Sequence, residues 1–197
     1  MNEWCLQNDL HQIETGIWQL LQEATQSHKA PFHHATVATV FEQVPEVRTV
    51  VLRRVLLPER TLFFHTDSRS PKATHLQQQP ALTWLFYSKE IRTQLRCYAQ
   101  AVMHTNGFIA DYGWQHSRLS SQLCYTAQHA PGTPLAQPNL LQLNRKDVDE
   151  AELRFARSHF AVVETVVHAI DWVFLHHDGN RRAYFDYRNN CFQWLQV

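Results

Sequence analysis

The sequence has 197 residues, of which 44% are hydrophobic and 12% aromatic, enough to build a packed core. Its 18 Lys and Arg residues balance 18 Asp and Glu residues, which argues against a general nucleic-acid or membrane-surface binder, since both need a basic excess. The four cysteines form no C-x-x-C pair, so we expect reduced thiols and no metal or disulfide framework. No signal pattern and no apolar run of ~20 residues is visible, which predicts a cytoplasmic protein.

Hydrophobic periodicity predicts helices and strands along the chain. Residues 5–27 have apolar positions at helical spacing, which predicts an amphipathic helix that covers one end of a barrel or a partner subunit. Strands are predicted at residues 34–41, 47–57, 61–66, 81–88, 92–104, 160–168, 171–177, 182–187 and 191–197. Further helices are predicted from Pro71 to just before Pro80 and over 146–158 with Asn144 as cap, and residues 105–126 are predicted to be helical with interruptions. The pattern is typical of an α+β protein built on a small antiparallel barrel.

Residues 48–72, RTVVLRRVLLPERTLFFHTDSRSPK, combine the features that a phosphate site needs. Ser70 is a preferred helix N-cap and Pro71 suits the first helical position, so free N–H groups and the positive helix end collect beside Lys72. A neighbouring strand contributes Arg48 and Arg53. These two lie five residues apart, so simple alternation places them on opposite faces unless a bulge intervenes. The stretch predicts an anion site on a β scaffold.

The segments RTVVLR, FHTDSRSPK, QQQPAL and IRTQLR, in this order within residues 30–105, resemble the pyridoxamine 5'-phosphate oxidase-like family of FMN-binding split β-barrels, in particular a less characterised branch whose turn reads F-H-T-D-x-R-S-P-K. The resemblance implies a homodimer with FMN at the subunit interface and a small-molecule substrate. It implies one split-barrel domain over 1–197, with a helix at 5–27, a core at about 33–104, a helical insertion at 105–158 and C-terminal strands at 160–197. The residues that it assigns to FMN are Arg48, Thr49, Val50, Arg53, His65, Thr66, Ser70, Lys72, Gln94 and Trp172.

Several positions depart from the family pattern. Arg53 replaces a lysine near the flavin ring, His65 replaces a tyrosine, and Pro71 replaces an arginine, for which Arg69 is the nearest substitute. The resemblance assigns substrate contacts to Tyr112, Ser120 and Arg182, with Arg181 an equal candidate for the last role and His116 and Arg118 nearby.

The resemblance implies an FMN-dependent oxidoreductase, and no catalytic acid or base is identified from the residues. The alternatives are a non-catalytic module that binds FMN or haem, and pyridoxamine 5'-phosphate oxidase activity itself. The 13 histidines predict no metal site, because neighbours such as His176 and His177 point to opposite faces if they lie on a strand.

Overall fold

Runs of β-branched and aromatic residues form an antiparallel sheet in the computed structural model, which describes residues 3–145 and 147–197. The strands in those segments are β1 (His34–Phe41), β2 (Val44–Val51), β3 (Arg54–Leu56), β4 (Thr61–Asp67), β5 (Ala81–Ser88), β6 (Thr93–His104), β7 (Phe160–Phe174), β8 (Arg181–Asp186) and β9 (Cys191–Leu195). The main path across the sheet is β2-β1-β5-β6-β7-β4-β3, and β8 and β9 follow one another from β7.

Strand β7 connects two parts of the sheet, because its 15 residues are long enough to pair with two strands in turn along one edge. Its first half, Phe160–Val166 in register, pairs with β4, and Ala169–Phe174 pair with β8. On its other edge it pairs with β6, whose register shifts between Tyr98 and Ala99. The sheet therefore divides at the middle of β7, and the predicted α+β split-barrel class is confirmed.

Helices surround this sheet. They are α1 (Leu10–Glu23), α2 (Pro71–Gln78), α3 (Gly107–Gln115), α4 (Leu119–Gln122) and α5 (Glu150–His159), with short 3-10 helices at Glu3–Leu6 and Leu123–Tyr125. Across the described part of the chain, no helix is long and apolar enough to cross a membrane.

Aromatic and aliphatic side chains fill the interior. Alternation along β5 buries Leu82, Trp84 and Phe86, and the rings of the last two stack with centroids 5.5 Å apart. Helix α1 buries Ile13, Ile17 and Leu21 in the same core. The amphipathic character predicted for this helix is confirmed.

The structure corrects the predicted ends of two helices. Helix α1 begins at Leu10, because the Asp9 carboxylate accepts hydrogen bonds from the N–H groups of His11 at 2.8 Å and Gln12 at 3.4 Å and so caps it there. Helix α5 begins at Glu150 behind a second aspartate cap, whose carboxylate accepts from Ala151 N at 3.0 Å, and Asn144 is not its cap. Lys146, where that helix was predicted to begin, lies outside the described residues.

Two strand predictions were also wrong. The segment predicted as one strand over 47–57 forms two strands. The chain is interrupted between them, where Leu52 N donates to His33 O at 2.9 Å and Arg53 N donates to Phe63 O at 2.8 Å. The separate strands over 160–168 and 171–177 are the one strand β7, because Ala169 and Ile170 pair with neighbours on both edges.

Candidate functional site

A cleft of about 490 Å³ lies beside β2, β4 and the start of α2, and we call it the first cleft. Its size falls within the ~300–1,000 Å³ of pockets that hold small molecules. Seven of the ten residues assigned to the cofactor line it: Arg48, Thr49, Val50, Arg53, His65, Thr66 and Lys72. Residues far apart in the sequence therefore meet at one place.

Hydroxyl groups and an ammonium group meet at the start of α2. Lys72 Nζ donates to Thr66 Oγ1 at 3.0 Å and to Ser70 Oγ at 3.4 Å, and the two hydroxyls lie 3.2 Å apart. Ser70 occupies the predicted N-cap position, but its side chain makes no capping hydrogen bond. The hydroxyl groups and the ammonium are thus directed at one another beside the cleft, which also brings Ser70 to the predicted site.

Arg48 places a second cation on the same cleft. Its Nη1 donates to Thr39 Oγ1 at 2.6 Å and to the carbonyl of Glu46 at 2.8 Å. Burial lowers the pKa of Arg48, and burial followed by the positive charge of Arg48 lowers the pKa of Lys72. The Arg48 charge thus disfavours the charge on Lys72, and two cations on one cleft favour a bound anion.

Arg69 does not line the first cleft. Its guanidinium forms a salt bridge with Asp67 at 2.7 Å and donates to the carbonyls of Ala127 at 3.0 Å and Gln128 at 3.2 Å. These contacts tie the β4–α2 turn to the loop after α4. Arg69 thus stabilises the turn, and the structure does not place it where an arginine would replace Pro71 as an anion ligand.

The interruption between β2 and β3 brings Arg53 into the same cleft as Arg48. Because the chain leaves β2 after Val51 and joins β4 through Arg53 N, the simple alternation that separated the two arginines does not apply. A break in the strand, in place of the bulge considered from the sequence, unites them.

A second cavity of about 530 Å³ adjoins the first cleft and shares Arg53 and His65 with it. It contains the predicted substrate residues Tyr112 and Ser120, together with His116 and Arg118. The end of α1 and the residues after it, 22 and 25–28, form part of its wall. The end of α1 and the residues after it therefore line this cavity, while the apolar face of the helix packs in the core.

The wall of this second cavity includes basic and aromatic side chains. The Arg54 guanidinium lies 4.9 Å from the centre of the Tyr112 ring, and the His116 ring stacks on Tyr112 at 3.9 Å. The lining residues in the described segments include three arginines and four histidines, and none of them is acidic. Such a wall favours an anionic, planar molecule.

His65 separates the two cavities as an uncharged imidazole. Burial, and then the positive charge of Arg53, lowers its pKa to about 3. Its Nδ1 lies 3.4 Å from Ser117 Oγ, and its ring packs edge-on against Phe160 at 4.8 Å. At neutral pH it offers hydrogen bonding without charge.

Four predicted site residues line neither cavity: Ser70 lies beside the first cleft through its contact with Lys72, and the other three lie elsewhere. Trp172 is fully buried in the core, stacked on Phe174 and 6.3 Å from Trp4. Gln94 and Arg182 both pair with Val173 from opposite sides, so they share the outer face of the sheet. The structure thus brings most of the predicted site together within one chain but leaves these three apart.

Arg182 and Arg181 already have partners in the chain. Arg182 donates to the buried carboxylate of Asp171 at 2.8 and 3.1 Å. Arg181 instead donates to the carbonyls of Cys5 and Gln7, each at 2.8 Å, and so ties the N-terminal segment to β8. Of the two, only Arg182 lies on the outer face with Gln94.

The adjacent histidines do not behave as strand neighbours. His176 and His177 lie in the turn after β7, with ring centres 4.2 Å apart, so the alternation argument was wrong for them. With Asp178 they form a group whose ligand atoms lie within 4.8 Å of one another. Asp178 N already donates to His176 Nδ1 at 3.3 Å, and the Asp178 carboxylate lies 3.2 Å from His177 Nε2. These contacts explain why the three side chains lie close together in the turn. The absence of a metal site stays a prediction.

Sequence reasoning missed some lining residues. Asp67 carried a signal, because it stands within the F-H-T-D turn. Tyr125 and Arg54 carried none: the first reaches the cleft from the 3-10 helix after α4, and the second reaches the other cavity through the unforeseen strand break.

Comparison with known proteins gives a family match over part of the chain and a shared fold. Residues 16–105 match the family described as pyridoxamine 5'-phosphate oxidase, FMN-binding domain, and no curated protein matches the chain. A pyridoxamine 5'-phosphate oxidase-related, FMN-binding protein from Nostoc punctiforme has a similar structure, with a TM-score of 0.70 and 18% identity over 92% of this chain and 96% of that chain.

Two further structures share the fold. PhzG from Burkholderia lata, in complex with tetrahydrophenazine-1-carboxylic acid, has a TM-score of 0.67 at 15% identity over 100% of this chain and 96% of that chain. Campylobacter jejuni ChuZ has a TM-score of 0.55 at 10% identity over 97% of this chain and 64% of that chain. The segment that carries Arg48, His65 and Lys72 therefore matches the FMN-binding domain of the pyridoxamine 5'-phosphate oxidase family, and the solved structures show that the chain has the split β-barrel fold.

Proposed function

We propose that this protein binds FMN in the first cleft and uses it as an oxidoreductase. The observation that carries the proposal is the pair of cations, Arg48 and Lys72, that face one cleft beside the hydroxyls of Thr66 and Ser70. A phosphate would relieve the mutual repulsion of the cations and accept hydrogen bonds from the hydroxyls. The residues therefore fit the phosphate end of FMN.

The flavin would then extend along the cleft toward Arg53 and His65, where the two cavities meet. Bound FMN supplies hydride and electron transfer, which side chains cannot perform themselves. Arg53 would place positive charge near the ring, and uncharged His65 would donate or accept a hydrogen bond there. The second cavity would orient the substrate beside these two residues.

The walls of the second cavity support an anionic, planar substrate. Arg54 stacked on Tyr112 would contact its face, and Arg118 with Ser120 would bind its negative group. Pyridoxamine 5'-phosphate has this chemistry, so its conversion to pyridoxal 5'-phosphate is the first activity to assay.

We further propose a homodimer in which a second copy completes the first cleft. Gln94 and Arg182, assigned to the site by resemblance, lie on the outer face of the sheet and away from the cleft of their own chain. Leu85 and Tyr87 are exposed on the same face, as an apolar contact surface requires. Docking of two such faces would bring these polar groups near the neighbouring cleft.

The test is titration with FMN and with riboflavin, which lacks the phosphate. Lys72→Met should weaken FMN binding by tenfold or more, since hydrogen bonds to charged groups contribute about 1.5–3 kcal/mol. The same substitution should barely change riboflavin binding. Lys89→Met, at an exposed lysine in the β5–β6 turn, is the matched control and should change neither.

Absorption spectra decide between cofactors. Flavin bands that remain with the purified protein after removal of excess FMN support the proposal. A protein that retains no FMN contradicts it, and a Soret band after addition of haem would favour the alternative of a haem-binding module.

A further inference from the structure

A buried polar cluster behind the first cleft links three elements through Arg48. Thr39 is the polar residue among the inward positions of β1, and it is 1% exposed. Its Oγ1 receives the Arg48 Nη1 hydrogen bond at 2.6 Å and lies 3.2 Å from His75 Nδ1 on α2. Arg48 pairs with Val37 in the register of β1 and β2, so its side chain shares the face of Thr39.

Hydrogen-bond chemistry gives this cluster a direction. A guanidinium has donors only, so the Thr39 oxygen accepts from Arg48 and keeps its own proton available for His75 Nδ1. His75 is itself held by a stacked contact with the Phe41 ring, with centres 4.6 Å apart and planes 12° apart. The hydroxyl is thus anchored from behind, on the side away from the cleft.

We propose that Thr39 and His75 are positioning residues that hold Arg48 toward the phosphate of the ligand. An arginine side chain loses much rotamer freedom when it is fixed, so anchoring before binding lowers the entropy that the ligand must overcome. The Glu46 carbonyl accepts from the same nitrogen on the strand, and the Arg48 side chain lines the cleft. The inference rests on the proposed binding of FMN.

Thr39→Val removes the hydroxyl while keeping the shape. It should weaken FMN binding about tenfold, as loss of a hydrogen bond to a charged group implies, and leave riboflavin binding unchanged. Thr39→Ser should restore most of the affinity. Thr61→Val is the matched control, because that buried hydroxyl bonds to the Glu59 carbonyl at 3.0 Å at the far end of β4; it should leave FMN binding unchanged.

A double-mutant cycle separates positioning from a merely structural role. In an Arg48→Met background, Thr39→Val should cause no further loss of FMN affinity, because the residue acts through Arg48. An undiminished loss in that background overturns the proposal. His75→Asn, whose amide reaches the region of Nδ1, should retain more affinity than His75→Phe, which keeps only the stack.

A crystal structure of Thr39→Val provides an arm that does not depend on FMN. Arg48 should occupy an altered or divided orientation there; one orientation identical to the wild type overturns the positioning role. Failure of the wild type to bind FMN, with Arg48 displaced in the variant, would instead contradict the proposed cofactor and leave the positioning of Arg48 supported.

Discussion

His65 shows how strongly a single buried side chain can depart from its behaviour in water. Its imidazole is packed against Phe160 and lies near the Arg53 charge, so its pKa falls to about 3. His65 therefore binds a proton near pH 6.5 in the unfolded chain but stays unprotonated at that pH in the folded chain. Folding loses stability as the pH falls from about 6.5 toward 3, and above about 6.5 the effect is absent.

This linkage predicts the pH dependence of a His65→Gln variant. Between pH 7 and pH 5 the wild-type free energy of unfolding should fall by about 2 kcal/mol more than that of the variant, since each pH unit below 6.5 contributes about 1.4 kcal/mol. Urea unfolding of the two apo-proteins at both pH values measures the difference. Between pH 8 and pH 7 the difference between them should stay constant, and equal slopes down to pH 5 would refute a depressed pKa.

Asp171 is the second residue whose environment decides its role. Its carboxylate is 3% exposed and forms salt bridges with both Arg96 and Arg182. Either arginine alone can compensate the buried negative charge, whereas removal of both leaves it unpaired.

The two arginines should therefore act non-additively on stability. Arg96→Gln and Arg182→Gln should each lower the free energy of unfolding only slightly, because the remaining arginine still compensates the Asp171 carboxylate. The double variant should lose about 3–5 kcal/mol. Arg154→Gln, at an exposed i, i+4 pair on α5, should change stability by less than about 0.5 kcal/mol. A double variant equal to the sum of the singles would argue against shared compensation.

At the scale of elements, helix α3 approaches the sheet where Gly113 leaves room. A Cβ at this glycine would lie 2.6 Å from Val162 Cγ2 and 3.2 Å from His65 Nε2. The absence of a side chain thus sets the distance between α3 and β7. It also sets the position of Tyr112 and His116 relative to His65, since all of these line one cavity.

Gly113→Ala should push α3 away from β7 and His65. We expect the free energy of unfolding to fall by about 1–3 kcal/mol, the usual range for overpacking, despite the better helix propensity of alanine. Gln115→Ala, on the exposed face of the same helix, should not destabilise the protein. Unfolding at equal pH compares the two, and a more stable Gly113→Ala variant would show that the helix yields without strain.

Element boundaries differed in how well local sequence predicted them. Strands β1 and β5 occur at the predicted residues, because alternation and flanking turns are local signals. Strand β7 was divided wrongly, since its continuity depends on β4, β6 and β8 pairing along its length. The break at Leu52 and Arg53 has the same cause: the partners that capture their N–H groups are His33 and Phe63.

At the scale of the whole molecule, the outer face of the sheet that carries Leu85 and Tyr87 is the surface proposed to form the dimer. Leu85 and Tyr87 of β5 are 37% and 56% exposed. Their cross-strand partners on β6, Arg96 and Gln94, lie on the same face. Large exposed apolar side chains beside polar ones are typical of protein contact surfaces.

Charge on this face should separate the subunits. We expect Leu85→Lys combined with Tyr87→Lys to give a folded monomer with much weaker FMN binding, because like charges would oppose each other across a symmetric contact. Sedimentation and circular dichroism measure assembly and folding separately. Leu140→Lys, at an 86% exposed loop position, is the control and should leave both assembly and FMN binding unchanged. A wild-type monomer that binds FMN fully would contradict the proposed interface site.

The sequence by itself determined the strand-rich class, the amphipathic α1, the α2 start beside Lys72, and the resemblance to the family whose model matches residues 16–105, because alternation, helical spacing and the turn motif are local patterns. Only the tertiary structure decided which distant residues meet. It placed Arg53 in the same cleft as Arg48 through a strand break, paired Arg69 with Asp67 in a salt bridge, and buried Trp172 in the core. It also brought Thr39 and His75 behind Arg48, from two elements with no motif in common. Side-chain contacts between elements depend on register and packing, which local patterns do not encode.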